Sequence, residues 1–596
     1  MRLLASFFRR FWRYRRRLAL GLLCIPFGAA GDVALTVAIG RALDVLRESA
    51  RTDFLGPLFL LLVGIGAARG VFKFAQRWWI ISVSRYVEVE LKQEVFDKLT
   101  SLSFSYHDRS RSGDVVSRLT SDVEHVRMFL GPGLMFLFGA LITLPASLAV
   151  LFWQDAQLAL AILAPLVLLA VGVRAVLPAM HRHSKAVQES LAEISHCAQE
   201  SFAGIRVVKG YGVEEDRAAR FTALSAANRD HQVALARARG ITHALTFLSK
   251  DLAFLPILLV GGLAMMDRDL PVGGLFVFID LTFKVFWPLI AVGWMLGSFP
   301  RALASARRVD ELLREEPEIA DPPRPRPLPA GAARRPGELA LRGVSYTYAG
   351  AGEPALAGVE VEVPAGTTLG VVGPTGSGKT TLLSLLGRLL EPRGEVLLDG
   401  VPVRELTLDD LRGSLGYVPQ DGFLFSDTWR ANVAFGAPGE PGEPAAPGRL
   451  GDAELADLAE RACMTAELGR FPDGEDQLIG ERGVTLSGGQ RQRTCLARAL
   501  AAEPRVLVLD DCLSEVDTDT ERELLATLAG ERARRTVVIA AHRLSAVAGA
   551  DRILVLGRGR VEAQGTHAEL LERSPWYRAT WKRQQTQEEI EELGGP

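Results

Sequence analysis

The sequence predicts an all-α transmembrane domain of six spans, followed by a cytoplasmic α/β domain built around a phosphate-binding loop. Three observations carry this. Six apolar stretches, each near the ~20 residues that cross a hydrocarbon core, fall before residue 300. The run Gly373-Pro-Thr-Gly-Ser-Gly378-Lys379-Thr380 stands between a short apolar run and a helix-like one. Between the two regions lies Glu316–Pro329, whose prolines forbid helix and sheet and read as an extended linker. At 596 residues the chain exceeds what one core can hold. A formal net charge of -2 excludes a nucleic-acid binder, which needs a basic excess. The five cysteines show no CxxC spacing and read as reduced thiols.

In residues 1–17, Phe7, Phe8, Phe11, Trp12 and Tyr14 interleave with six arginines, Arg9 to Arg17. That mixture suits an elbow helix lying on the cytoplasmic membrane surface. A cleavable leader over Leu18–Ala30 is the rival, but the apolar run continues to Ile39. No further domain is expected ahead of the elbow. The expected spans, within residues 18–315, are Leu18–Ile39, Phe54–Ile81, Pro132–Trp153, Leu158–Leu177, Leu245–Met266 and Val272–Phe299. An even count behind an arginine-rich start places both termini in the cytoplasm of a cell whose inner membrane holds the chain. Long polar, helix-forming segments (83–130 and 179–242) come after the second and fourth spans and project to the same side. Asp280 and Lys284 lie four apart on one helical face inside the last span. They form either a neutralising pair or a substrate contact.

After the linker (316–337), residues 338–587 form the second domain. Alternation from Leu339 to Tyr348 reads as a strand, and Tyr348 is an aromatic able to stack on a purine ring. In the loop, Gly373, Pro374, Thr375, Gly376, Ser377 and Gly378 would curl backbone N–H groups around an anion at a helix N-terminus. Lys379 would reach the β- and γ-phosphates of ATP, Thr380 would ligate Mg²⁺, and Thr381, continuing the helix, would also contact the nucleotide. The alternative, a glycine turn that happens to end in Lys-Thr, does not account for the polar motifs downstream. Gln420 ends a strand where its amide could touch Mg²⁺ and a water. Leu486-Ser487-Gly488-Gly489-Gln490 opens a helix, expected over Thr494–Ala502, and offers a second anion site. Arg505–Asp510 is a buried strand ending in a carboxylate suited to Mg²⁺; Ser514–Asp517 is a turn; Thr536–His542 is a strand ending in histidine.

With these motifs in this order, the chain resembles an ABC exporter half-transporter of the type I fold (also called type IV). The segments Phe104–Val123 and Glu200–Tyr211 resemble its two intracellular loops with coupling helices, and Gly480-Glu-Arg-Gly483 resembles its X-loop. The resemblance implies that Tyr348 is the A-loop aromatic, that His542 is catalytic beside Gln420, and that Asp517 belongs to the nucleotide site. It also implies head-to-tail pairing, each ATP held between one subunit's phosphate loop and the other's LSGGQ, so the chain would dimerise. Substrates of this architecture are drugs, lipids or peptides.

Asp511 stands where the family carries Glu to polarise the attacking water. Its carboxylate falls about 1–1.5 Å short, and misplacement of that order can cost roughly 10²-fold in rate. This resembles the degenerate-site subunit of a heterodimeric exporter, whose Ser487–Gln490 would complete the partner's competent site. The alternatives are a slow homodimer using Asp511, and an ATP-regulated channel or sensor that does not pump. Cys512 and Glu515 also depart from the small residues common there. Residues 435–451, rich in Gly, Pro and Glu, read as disordered, and the acidic tail 588–596 as frayed.

Overall fold

The chain forms two units, Met1–Thr100 with Gly113–Arg314, and Ser101–Ser112 with Glu315–Pro596. The computed structural model describes residues 2–48, 55–267, 270–329, 336–437, 450–480, 486–531 and 534–593. Most of the 435–451 insertion, the X-loop residues Glu481, Arg482 and Gly483, and the last tail residues lie outside the described ones.

The first unit is helical throughout. The elbow helix, Arg2–Trp12, buries Leu4, Phe7 and Phe11. It is pinned by Arg10, 2.6 Å from Glu94, and the Tyr14 hydroxyl donates to Glu90 just beyond it. The span helices come next as Arg15–Glu48, Leu55–Ser101, Ser112–Gln154, Ala156–Ala203, the pair Glu214–Leu252 and Phe254–Asp267, and Val272–Arg314. Several run well past the expected apolar limits: the 47 residues of Leu55–Ser101 rise about 70 Å at 1.5 Å each, more than twice a ~30 Å hydrocarbon core. Among the described residues five helices are long and apolar enough to cross a membrane. The fourth expected span lies in the continuous helix Ala156–Ala203, of which the described apolar portion is Ala156–Pro165. In the second span's apolar window no residue is buried, and Phe59, Leu60 and Phe74 are each about two-thirds exposed. A soluble protein would not leave such a face open; against lipid it carries no penalty.

Close backbone contact joins the first and last span helices. A Cβ placed on Gly273 would sit 1.9 Å from the Gly40 carbonyl oxygen, so only glycine permits this crossing. The Gly273 N–H, at the helix start, donates to Asp44 at 2.6 Å. Deeper in, Lys284 and Asp280 pair at 2.5 Å, and the Thr36 hydroxyl joins both. The third span helix carries two π-turns, Arg118–Asp122 and Phe129–Gly133. The first presents buried Asp122 to Arg308 of the last helix.

The short helix Phe104–Arg109 belongs to the second unit. There the Ile319 N–H donates to the Ser103 hydroxyl at 2.9 Å, and Arg109 reaches Glu318 at 3.2 Å. The linker, as expected from its prolines, has no helix or strand over Glu315–Pro329. The other segment, Glu200–Tyr211, carries the short helix Ile205–Tyr211.

The second unit holds two main sheets. An antiparallel one has the order β2 (Leu356–Val363), β1 (Leu339–Tyr346), β4 (Arg393–Leu398), β5 (Val401–Pro402). The other has the order β12 (Arg560–Gly565), β11 (Arg552–Gly557), β3 (Thr368–Val372), β10 (Thr536–Ala540), β9 (Val506–Asp510), β6 (Leu415–Val418). From β11 to β6 all pairings are parallel. Strands β3, β9 and β10 are buried at every residue, the continuous apolar pattern of a sheet covered on both faces. A short ribbon of β7 (Asp427–Thr428) and β8 (Leu478–Ile479) leads into a helical region anchored by fully buried Trp429, whose indole N–H donates to Thr494 at 3.2 Å.

The packing can be tested at two positions. Gly273→Val should lower stability by about 1–3 kcal/mol or more through overpacking, read as the thermal midpoint in detergent, whereas Gly262→Val, with nothing within 4 Å of its Cβ position, should leave it unchanged. Trp429→Ala should cost about 3–5 kcal/mol in the unfolding of the second unit.

Candidate functional site

Parallel strands bring their carboxyl ends to one edge, and that edge is where loops can gather polar groups. Because β3, β10, β9 and β6 are neighbours in that order, the segments leaving them meet: the glycine loop, His542, Asp510 with Asp511, and Gln420. Together with Tyr348 they surround a cavity of about 290 Å³ whose floor is Thr375–Thr381. The loop turns into the helix Lys379–Leu386 at Gly378, which has φ 103° and would put a Cβ 2.7 Å from the Ala355 carbonyl oxygen. A side chain there is excluded on both grounds. Tyr348 packs edge-on against Tyr346 and shares a 3.1 Å hydrogen bond with Thr381.

Lys379 is buried, and its ammonium donates to the Gly373 and Pro374 carbonyls at 2.9 and 3.3 Å. Burial lowers its pKa, against the opposing pull of Asp511 and Asp510. Asp510 is 2% exposed. Its Oδ1 accepts from the Thr380 hydroxyl at 3.2 Å, while its Oδ2 is buried with no hydrogen-bond partner. Burial pushes its carboxyl up, the Thr380 hydrogen bond opposes that, and the Asp511 charge adds to it. A buried carboxylate oxygen without a partner, next to a hydroxyl, is a hard-oxygen pair that fits Mg²⁺. The anion-facing loop, a lysine and a purine-sized aromatic edge fit a nucleotide triphosphate.

Asp511 has left-handed backbone, φ 47°, a region that Asp tolerates better than most residues. Its N–H donates to the Ala540 carbonyl at 2.9 Å, and its Oδ1 accepts from the His542 N–H at 3.2 Å. The short carboxylate is therefore drawn toward the backbone after β10.

The signature is placed differently. Ser487 caps the helix Gly488–Ala501, so this helix starts six residues earlier than the apolar pattern of the sequence suggests. Ser487 and Gln490 form a capping box, each side chain accepting from the other's N–H. With the N-terminal N–H groups of Gly488 and Gly489 they form a surface apart from the cavity, none of the four lining it. Asp517 also stays apart, capping the helix Thr518–Gly530 through the Thr520 N–H. Thus the chain gathers the loop, Tyr348, Gln420, Asp510, Asp511 and His542, and does not gather Ser487, Gly488, Gly489, Gln490 or Asp517 with them.

Four residues to which the sequence alone assigns no role shape these loops. Gln492 spans from the signature helix to the Asp511 carbonyl and the Glu515 N–H. Gln584 accepts from the Leu544 N–H and donates to the His542 carbonyl, bracing the histidine loop. Glu515 lays its carboxylate against Gly488, and Cys512 is a buried filler whose thiol is pushed up to about 12 by burial. Glutamine at helix position 492 or 584 carries no pattern that would flag it from sequence.

The family described as the ABC transporter transmembrane region matches residues 18–289, and that described as ABC transporter matches residues 356–514. The chain is 31% identical to an uncharacterized ABC transporter ATP-binding protein, YknU, of Bacillus subtilis (strain 168), over 95% of each chain. It is 32% identical to the multidrug resistance-like ATP-binding protein MdlA of Escherichia coli (strain K12), over 99% of this chain and 98% of that one. A bacterial Atm1-family ABC exporter solved with ATP bound superposes with a TM-score of 0.75 at 28% identity, covering 96% and 98% of the two chains.

The raised carboxyl of Asp510 sets a pH dependence. An ionised carboxylate there could hold Mg²⁺ and a protonated one could not. Enhancement of ATP-analogue binding by Mg²⁺ should be full at neutral pH. It should fade on acidification at a higher pH than an ordinary carboxylate would give. Asp510→Asn should abolish it at every pH, read by fluorescent nucleotide titration with and without Mg²⁺.

Proposed function

The chain belongs to the ABC exporters, ATPases coupled to transport across a membrane, and from that premise we propose that it is the degenerate-site subunit of a heterodimer. The observation that carries this is Asp511: it alone of the cavity's expected groups departs in type, while Tyr348, Lys379, Thr380, Gln420, Asp510 and His542 all meet at one cavity. The glycine loop and Lys379 would bind the phosphates of ATP, and Tyr348 would stack on its base. Thr380 and Asp510, with Gln420 beside them, would hold Mg²⁺, which supplies charge neutralisation on the transferred phosphoryl group. A water attacking that group must give up a proton. Asp511 would take it from a position about one methylene too far back and already engaged by the His542 N–H, with a loss of roughly 10²-fold.

The separated signature surface supports a partner. Ser487–Gln490 would meet the γ-phosphate bound on the other subunit, where a Glu-bearing site would turn over. ATP-driven closure of the two nucleotide domains would pass through the coupling helices to the spans. The membrane is the cell's inner membrane, both termini are cytoplasmic, and the cargo is hydrophobic or amphipathic. A homodimer that hydrolyses slowly is the second reading, favoured by Asp511 still lining the cavity.

Binding and hydrolysis should separate. Lys379→Ala should abolish ATP photolabelling of the purified chain, whereas Asp511→Ala should keep the label and change its low hydrolysis rate by less than about threefold, Asp511 supplying little of it. In inside-out vesicles containing the subunit and its partner, ATP should drive uptake; ATP binding without any uptake would contradict an exporter.

A further inference from the structure

Within the membrane unit, the first, second, third and last span helices enclose a cavity of about 370 Å³, in the range that holds a small organic ligand. One wall is apolar, with Ile25, Met135, Phe136 and Pro288. The other edge carries Asp32, Lys73 and Lys284. Behind them stand Arg69, 3.3 Å from Asp32, and Asp280, 2.5 Å from Lys284; Lys73 lies 2.6 Å from Asp32.

The balance of this cluster is uneven. Three cations face two carboxylates. Asp32 is shared by two of the cations, and Asp280 is taken by Lys284 and the Thr36 hydroxyl. The Arg69 Nε is buried without a hydrogen-bond partner, and the Lys73 side chain is half exposed, so one positive charge is both uncompensated and within reach. In a low-dielectric surround such an excess is costly and is normally neutralised by a partner. A cationic ligand would have to displace an existing ion pair, whereas an anion would complete the set.

We propose that this cavity binds the head group of a small amphiphilic anion, bearing a carboxylate or phosphate, with Lys73 as its contact and the apolar wall taking its tail; Lys284 is already held by Asp280, Thr36 and the Asp32 carbonyl. This rests on the export reading and deepens it by naming the cargo class.

The test uses the full chain in neutral maltoside micelles without nucleotide. It is titrated with a dansyl-labelled undecanoate and, separately, with the matching dansyl-labelled undecylamine. The anion should bind saturably and the amine should not. Lys73→Gln should weaken the anion about tenfold, the loss of one charge-assisted hydrogen bond, while Lys73→Arg should retain it and Asp32→Asn should not weaken it. Equal binding of the amine, or unchanged anion affinity in a Lys73→Gln variant that elutes as the wild type does, would overturn the proposal. Saturable, lysine-dependent anion binding without ATP-driven uptake of the probe into vesicles would leave the site established and remove its reading as the cargo site instead.

Discussion

The second unit depends on one electrostatic constraint, a carboxylate buried at the end of a central strand. Asp510 reaches its place because β9 is apolar along its whole length and lies inside a sheet covered on both faces. Having carried the carboxylate there, the fold meets only part of its demand, through the Thr380 hydroxyl. The rest is left for a cation, and with it for the phosphate groups that a cation accompanies. The glycine loop, Lys379 and the ends of β6 and β10 are arranged around that unfulfilled charge. Asp511 inherits its position from the same strand, but its left-handed backbone and its bond from the His542 N–H turn it aside.

The membrane unit solves the reverse problem. Charges on its spans sit where the surroundings disfavour them, and among the described residues Asp280 is tied to Lys284 and Asp32 to Arg69 and Lys73. Glycine contact between the first and last spans accompanies the one polar link across them, Thr36 of the first to Asp280 and Lys284 of the last. Where the pairing comes out unequal, around Lys73, the membrane unit has a cavity rather than a packed core.

Much of this is legible in the residues. The glycine loop and the apolar strands identify themselves by period and spacing, since local backbone chemistry dictates both. The long span helices are legible as spans but not as continuous rods, because apolar pattern ends where the membrane ends while helical hydrogen bonding does not. The signature helix reads late in the sequence because its first turn is Gly488-Gly489, poor helix formers that Ser487 and Gln490 cap in compensation. The choice left open for Asp280 and Lys284 needs coordinates: the pair forms, and Lys284 also reaches the cavity. Gln492 and Gln584 act through tertiary contacts 19 and 42 residues away, which no local pattern announces.

We propose that the chain's own nucleotide site is slow because of one side chain, Asp511. The measurement that tests it most directly is the steady-state ATP hydrolysis rate of the purified chain alone, with Asp511→Glu beside it. A site slowed by the short Asp511 side chain gives a feeble wild type and a gain of about ten- to a hundredfold from the added methylene. Brisk wild-type turnover that Glu does not improve would contradict it and leave a working homodimer in its place.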